Sequence, residues 1–467
     1  MKKDLAALGG NVVKADRNVV SLSPSHISLD RSKTSGATYL EGLDLQLLDC
    51  EGFEDWLREK RSENELLDEQ SQSKIYTSAH LSSSSLRPMA LGFLPTIHAG
   101  LNSAELVRTN SVLDSIARSV SQTTELDIHD MRGFDVESVH LPIETGTGPT
   151  HLLQPLSEHR DGRLQVSLRL REAGSQRIVW VSEPVDAFHT SSEDQAAVAT
   201  ETLLEHLATC RVSSDAPDLF PWTAITALFS LNDELIRRTE EQIERMIEAG
   251  APKVFECLRL FAQVFKENEG VEMAPCITPE TLCELISEVP NANPMLPLWQ
   301  SLAGYSAHML LGENDLAEQF LEGSYARAPT LALNLDHLAV LRMMRGDLNG
   351  AEAAFQRCQK VGASSPWRYT YDVTGSMLAM ARGDYRTSLM FANRALMRKP
   401  RFIGALRYAM AGFALIENQK DALRMHSRIR SLRPDYDMGG WTESMSRRTP
   451  RNLSTALVAS FQRSGIV

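Results

Sequence analysis

Evenly spaced turn residues and prolines in the second half of the chain restrict its fold more than any other feature. Gly312, Gly346, Gly383 and Glu417 open the segments GENDLAEQFL, GDLNGAEAAF, GDYRTSLMF and ENQKDALRM, at steps of 34, 37 and 34 residues. Pro329, Pro366, Pro400 and Pro434 close the same units, at steps of 37, 34 and 34. Proline cannot continue a helix, so it marks the passage into the next unit. A period of this length means that each unit is one supersecondary element buried against its neighbours. Small residues such as Ala317, Ala351 and Ala422 let paired helices approach closely. The spacing predicts helical hairpins over 297–437, with more degenerate helix pairs over 222–296 and a C-terminal tail at 438–467.

The period, the A-x3-F spacing of Ala351 and Phe355 and the terminal prolines match the tetratricopeptide (TPR) repeat. Stacked helix pairs of that kind curve into a groove for a peptide or helix, so a protein or peptide partner is expected there.

Ahead of the repeats the pattern becomes α/β over 89–212. ALGFLP (90–95) reads as a short strand, SAELVRTNSVLDSIARSV (103–120) as an amphipathic helix and ELDIHDM (125–131) as a second strand. THLLQPLS, RLQVSLRLR and RIVWVSEP supply three more strands, and EDQAAVATETLLEHLATC (193–210) closes the unit as a helix. In the middle strand Leu164, Val166, Leu168 and Leu170 alternate with polar residues, which leaves one face of it wet.

The first 61 residues differ again. KKDLAAL (2–8) can make two helical turns, stopped by Gly9-Gly10. VVKADRNVVSLS (12–23) reads as a hairpin turning at Asp16-Arg17-Asn18. Phe53, Trp56 and Leu57 give one apolar stripe to a helix over 52–61, and the serine-rich stretch 62–88 reads as a linker. The whole is expected to be an α+β multidomain chain.

A net charge of −12 over 467 residues gives no global attraction to nucleic acid or to anionic membranes. Lys2, Lys3, Lys14 and Arg17 form a basic cluster near the hairpin, either a solvated surface or a set of DNA-phosphate contacts. No apolar run approaches membrane length, and the six cysteines lack CxxC spacing, so a cytoplasmic chain with reduced thiols and no membrane contact is expected. GTG at 146–148 lacks the lysine-bearing phosphate loop, the histidines at 129, 140, 151 and 159 lack metal-site spacing, and Asp127 with Asp130 reads as a solvated strand end. No cofactor, metal or catalytic function is expected.

DLAALGGNVVKADRNVVSLSPSHISLD followed by YLEGLDLQLLDCEGFEDWLREKR resembles the region after the recognition helix in bacterial winged-helix activators of the SARP type, with their bacterial transcriptional activator (BTAD) region. Residues 89–210 resemble the TolB-like module found in such regulators and beside some adenylate cyclases, although the family's usual EGSV strand is LLQPLS in this chain. The resemblance implies a winged-helix remnant and activator-type junction at 1–61, then a TolB-like α/β domain and a TPR-like solenoid. It implies a transcriptional regulator whose chain begins inside the would-be recognition helix and so binds DNA weakly. A TPR scaffold without DNA binding, or an accessory module of a cyclase-like system, is the alternative.

Overall fold

The computed structural model describes residues 13–15, 20–22, 89–98, 100–124, 126–133, 148–175, 177–187, 192–212, 221–251, 254–269, 296–448 and 451–466. The chain divides into two units, Met1–Ile75 and Tyr76–Val467. In the first, β1 (Val13–Ala15) and β2 (Val20–Leu22) pair antiparallel, Val13 opposite Leu22 and Lys14 opposite Ser21. The helices expected at 2–8 and 52–61, the linker at 62–88, and Lys2, Lys3 and Arg17 lie outside the described residues.

The second unit begins with a mixed sheet. Its strands are β3 (Ala90–Phe93), β4 (Ile97–His98), β5 (Asp127–Asp130), β6 (His151–Arg160), β7 (Arg163–Glu172), β8 (Ile178–Val181) and β9 (Val185–Asp186). Their order is β5-β3-β6-β7-β8, with β4 beside β6 and β9 beside β7. β3 runs parallel to β5 and β6, whereas β6, β7 and β8 are antiparallel. A parallel neighbour needs a crossover, and α1 (Ser103–Thr123) provides it between β4 and β5. Asn102 and Glu105 start α1 as a reciprocal capping box, at 3.0 and 2.9 Å. β6 turns into β7 through Asp161 and Gly162, both left-handed (φ 52° and 74°), as a tight two-residue hairpin turn requires.

The alternation along β7 sets the core. Leu164, Val166, Leu168 and Leu170 are fully buried and share one core with Leu113, Ile116 and Val120 of α1 and with Leu203, Leu204 and Leu207 of α2 (Ser192–Val212). Each such side chain contributes roughly 1.5–3 kcal/mol of apolar burial. The alternate residues Gln165, Ser167 and Arg169 are half-buried.

Among the described residues that follow, the helices are α3 (Pro221–Leu228), α4 (Asp233–Glu248) and α5 (Val254–Glu269), then five successive pairs. The pairs are α6–α7 (Pro297–Ser306 with a π-turn at Ala307–Leu311, then Asn314–Arg327), α8–α9 (Ala332–Met344, Leu348–Val361), α10–α11 (Arg368–Ala381, Tyr385–Arg398), α12–α13 (Ile403–Leu415, Gln419–Leu432) and α14–α15 (Met438–Arg448, Arg451–Ser464). Consecutive pairs pack on one another, as in a helical solenoid. Helices α14 and α15, in the segment expected as a tail, extend this stack, with Leu457 and Phe461 buried.

The turn residues act as their spacing implied. Gly312, Gly346 and Gly383 all take positive φ (72°, 85° and 79°), the left-handed conformation that ends a helix. The next residue then caps the following helix: Asp347 accepts from Gly350 N, Asp384 from Thr387 N and Asn418 from Asp421 N. Glu417 fills the glycine position of its pair at φ 63° despite carrying a side chain. Ala317, Ala351 and Ala422 are wholly buried at helix crossings and Phe355 is nearly so, whereas Pro329 and Pro434 are exposed and Pro400 is buried.

The sheet and the stack are joined through α2. Glu201 Oε1 accepts from Ala332 N at the start of α8 (3.3 Å), and Asp194 pairs with Lys360 (2.7 Å) and Arg357 (3.8 Å) of α9. Among the described residues, no helix is long and apolar enough to cross a membrane.

Candidate functional site

Helix α5, VFECLRLFAQVFKENE, carries Glu256, Arg259, Gln263 and Glu267 along one stripe and is apolar over the rest of its surface until its last turn. Phe255, Leu258, Phe261, Ala262, Val264 and Phe265 are all buried. A helix with so wide an apolar face has to be covered by protein on most sides. It packs on α6 and α12, and its Phe261 ring meets His337 of α8 at 5.7 Å. These are leading helices of their pairs, the ones that line the groove of a repeat stack. The face expected to receive a partner is thus already covered by a helix of the same chain.

The fit is incomplete. A cavity of about 130 Å³ remains between α5 and the leading helices α6, α8, α10, α12 and α14. Aromatic rings form part of its wall: Tyr305 stacks on His337 at 4.0 Å, and Phe229, at the end of α3, meets Phe261 and Phe265 edge-on at 5.8 and 5.4 Å. Tyr369 anchors the same region by donating its hydroxyl to Phe229 O at 2.6 Å. Val340, Met344, Val373 and Met377 supply aliphatic surface.

Asp336, His337, Arg407 and Glu269 reach the cavity from deep positions. Asp336, Val373 and Arg407 each stand ten residues before the left-handed turn residue of their pair, so an acid, an aliphatic and a base occupy equivalent sites on α8, α10 and α12. Asp336 is 7% exposed and its Oδ1 has no hydrogen-bond partner. Burial pushes its pKa up to about 7, against a hydrogen bond from Thr374 and with the Asp372 charge adding to the rise. Beside it, His337 places Nδ1 2.9 Å from Ser301 Oγ, and burial holds its pKa down at about 3, so the ring is neutral.

Arg407, 5% exposed, donates Nη1 to the Tyr436 hydroxyl and lies over the Tyr436 and Trp441 rings at 5.7 and 5.3 Å. Its Nε has no partner. Burial opposes its charge, yet Tyr436 and Glu269 hold its pKa above the ordinary value. Glu269, the last residue of α5, accepts from Ile403 N (2.9 Å) and Gly404 N (3.1 Å) and so caps α12 from another part of the chain. Burial pushes its pKa up to about 7, against Arg407 and those two amides.

The residues singled out in the sequence lie elsewhere. Lys14 sits on β1, and the other three members of the basic cluster are outside the described residues. On the sheet, Asp130 is clamped by Arg132 at 2.7 Å, and His159 meets Glu105 at 3.1 Å. Among the described residues no group of three or more His, Cys, Asp or Glu could hold a metal ion. The repeat residues Gly312 to Pro434 build turns and helix crossings rather than the cavity. Asp336, Arg407 and Glu269 escaped the sequence reading, although the common register of the first two was present in it. Compared with protein-family models and with curated proteins, the chain matches none.

Proposed function

We propose that this chain is the receiving part of a transcriptional regulator, a binding protein rather than an enzyme. In this reading the helical stack takes up a signal, and the output passes to DNA or to another protein through the N-terminal segment. One observation carries it: the groove face closes over a cavity that gathers aromatic, aliphatic and deeply buried charged side chains, the make-up of a small-molecule site. Two further observations support the reading: β1 and β2 pair antiparallel, as the strands of a wing would, and a mixed sheet precedes the helical stack, the order expected from the SARP-type resemblance of the sequence. A peptide partner lying along the leading helices, as in a plain TPR scaffold, would first have to displace α5.

The test joins expression and DNA binding. Deleting the coding sequence is expected to change the transcript levels of a defined gene set, restored by the full chain. In a mobility-shift assay the purified chain is expected to bind DNA weakly and without sequence preference, since its net charge of −12 gives no global attraction to phosphate. Unchanged transcripts, with recovery of one stable protein partner, would replace this reading with the scaffold.

A further inference from the structure

We propose that the cavity beneath α5 binds a compact organic amine, its ammonium on Asp336 and its apolar body among the aromatic and methionine side chains. This rests on reading the chain as a receiver and names the chemistry of what it receives.

The cavity itself defines the ligand. Asp336 Oδ1 is an acceptor more than nine-tenths buried, at the cavity wall, with no donor of the protein on it. A buried acceptor left open is unfavourable by about 1–3 kcal/mol, a penalty that a donor from outside would remove. Among the described residues no cation forms an ion pair with Asp336, and the charge that acts on it is another carboxylate, Asp372. A buried carboxyl without its own cation suits a positive guest, whose charge would favour the ionised form. Phe261 and Tyr305 line the cavity, and aromatic rings attract a cation as well as an apolar body. Met309, Met344 and Met377 adapt to irregular shapes. Benzene fits an apolar cavity of about 150 Å³, so about 130 Å³ admits a molecule of one ring or a short branched chain.

Arg407 does not redirect the choice. It stands two pairs away from Asp336, with Val373 at the intervening position. Its charge already faces Tyr436, the ring of Trp441 and Glu269. A carboxylate guest would need that end, and an amine needs the Asp336 end.

The experiment uses the full chain and three probes of one shape: benzylamine, benzyl alcohol and benzoate. Titration calorimetry with ligand-observed NMR is expected to show saturable benzylamine binding with a dissociation constant on the order of 1 mM or below. Benzyl alcohol should bind at least tenfold more weakly, and benzoate should not saturate. Asp336→Asn should weaken benzylamine at least tenfold. Val340→Phe, which adds a ring to the cavity wall one helical turn from Asp336 and keeps the carboxylate, should abolish binding while the circular dichroism spectrum and thermal transition are kept. If Asp336→Asn fails to fold, Val340→Phe decides the matter. No saturable benzylamine binding, binding undiminished in Val340→Phe or in folded Asp336→Asn, or benzoate bound as tightly as benzylamine would overturn the proposal. The measurement involves neither transcripts nor DNA, so failure of the amine site and failure of the regulatory reading are seen separately.

Discussion

Replacing Glu269 by glutamine should make the chain more stable at pH 8 and leave it unchanged at pH 4.5. The carboxyl group is 4% exposed, and its folded pKa is pushed from 4.5 up to about 7 by burial. An unfolded glutamate titrates near its ordinary value, so between these limits the folded chain holds a proton that the unfolded chain has released. Stability from this group is therefore whole below about 4.5 and declines as pH rises through about 7. The difference of about 2.5 pH units corresponds to about 3 kcal/mol. Glutamine reproduces the protonated acid: it keeps one oxygen to accept from Ile403 N or Gly404 N and carries no charge to desolvate. Urea unfolding of both proteins from pH 4.5 to 8 gives a difference curve in which the other buried carboxylates cancel. It should be near zero at pH 4.5 and reach about 3 kcal/mol in favour of the variant at pH 8. A flat difference curve would refute the reasoning, since Glu269 would then ionise in place at no cost, balanced by Arg407 and Arg433.

Two further substitutions test the packing of the repeats. Glu417→Gly should raise the urea midpoint, by about 0.5–1 kcal/mol in stability, because φ 63° strains any side chain and the three equivalent positions are glycine. Gly375→Ala should lower stability by about 1–3 kcal/mol in the same assay, because a Cβ there would stand 2.5 Å from Phe355 Cζ and 3.0 Å from Phe391 Cδ1. Alanine's better helix propensity, about 1 kcal/mol, opposes that loss, so a net gain would show that the two rings yield easily.

The repeat stack was legible because its turns are local. Gly346-Asp347 and Gly383-Asp384 each specify a left-handed stop and a side-chain cap within two residues, which sequence alone can carry. The β7 alternation was legible for the same reason. The fate of α5 was half visible: Phe255, Leu258, Phe261, Val264 and Phe265 leave only a narrow polar stripe, which speaks for a largely covered helix but not for what covers it. Its seat against α6, α8 and α12 arises from contacts far apart in the chain, and so do the cap Glu269 places on α12 and the stranding of Asp336. The Glu417 turn hid in plain view, since only its period marked a glutamate as the counterpart of three glycines.

Two leading helices of the stack borrow their first-turn acceptors from upstream: α8 from Glu201 across 131 residues and α12 from Glu269 across 134. A solenoid ordinarily assembles pair by pair from neighbours, and its units can be added or trimmed with little effect on the rest. Here chain segments more than a hundred residues apart must find each other before those helix starts are satisfied. That long-range closure is expected to slow folding and to tie the repeats to the upstream helices, so that repeats cut out alone lose two of their helix-start acceptors.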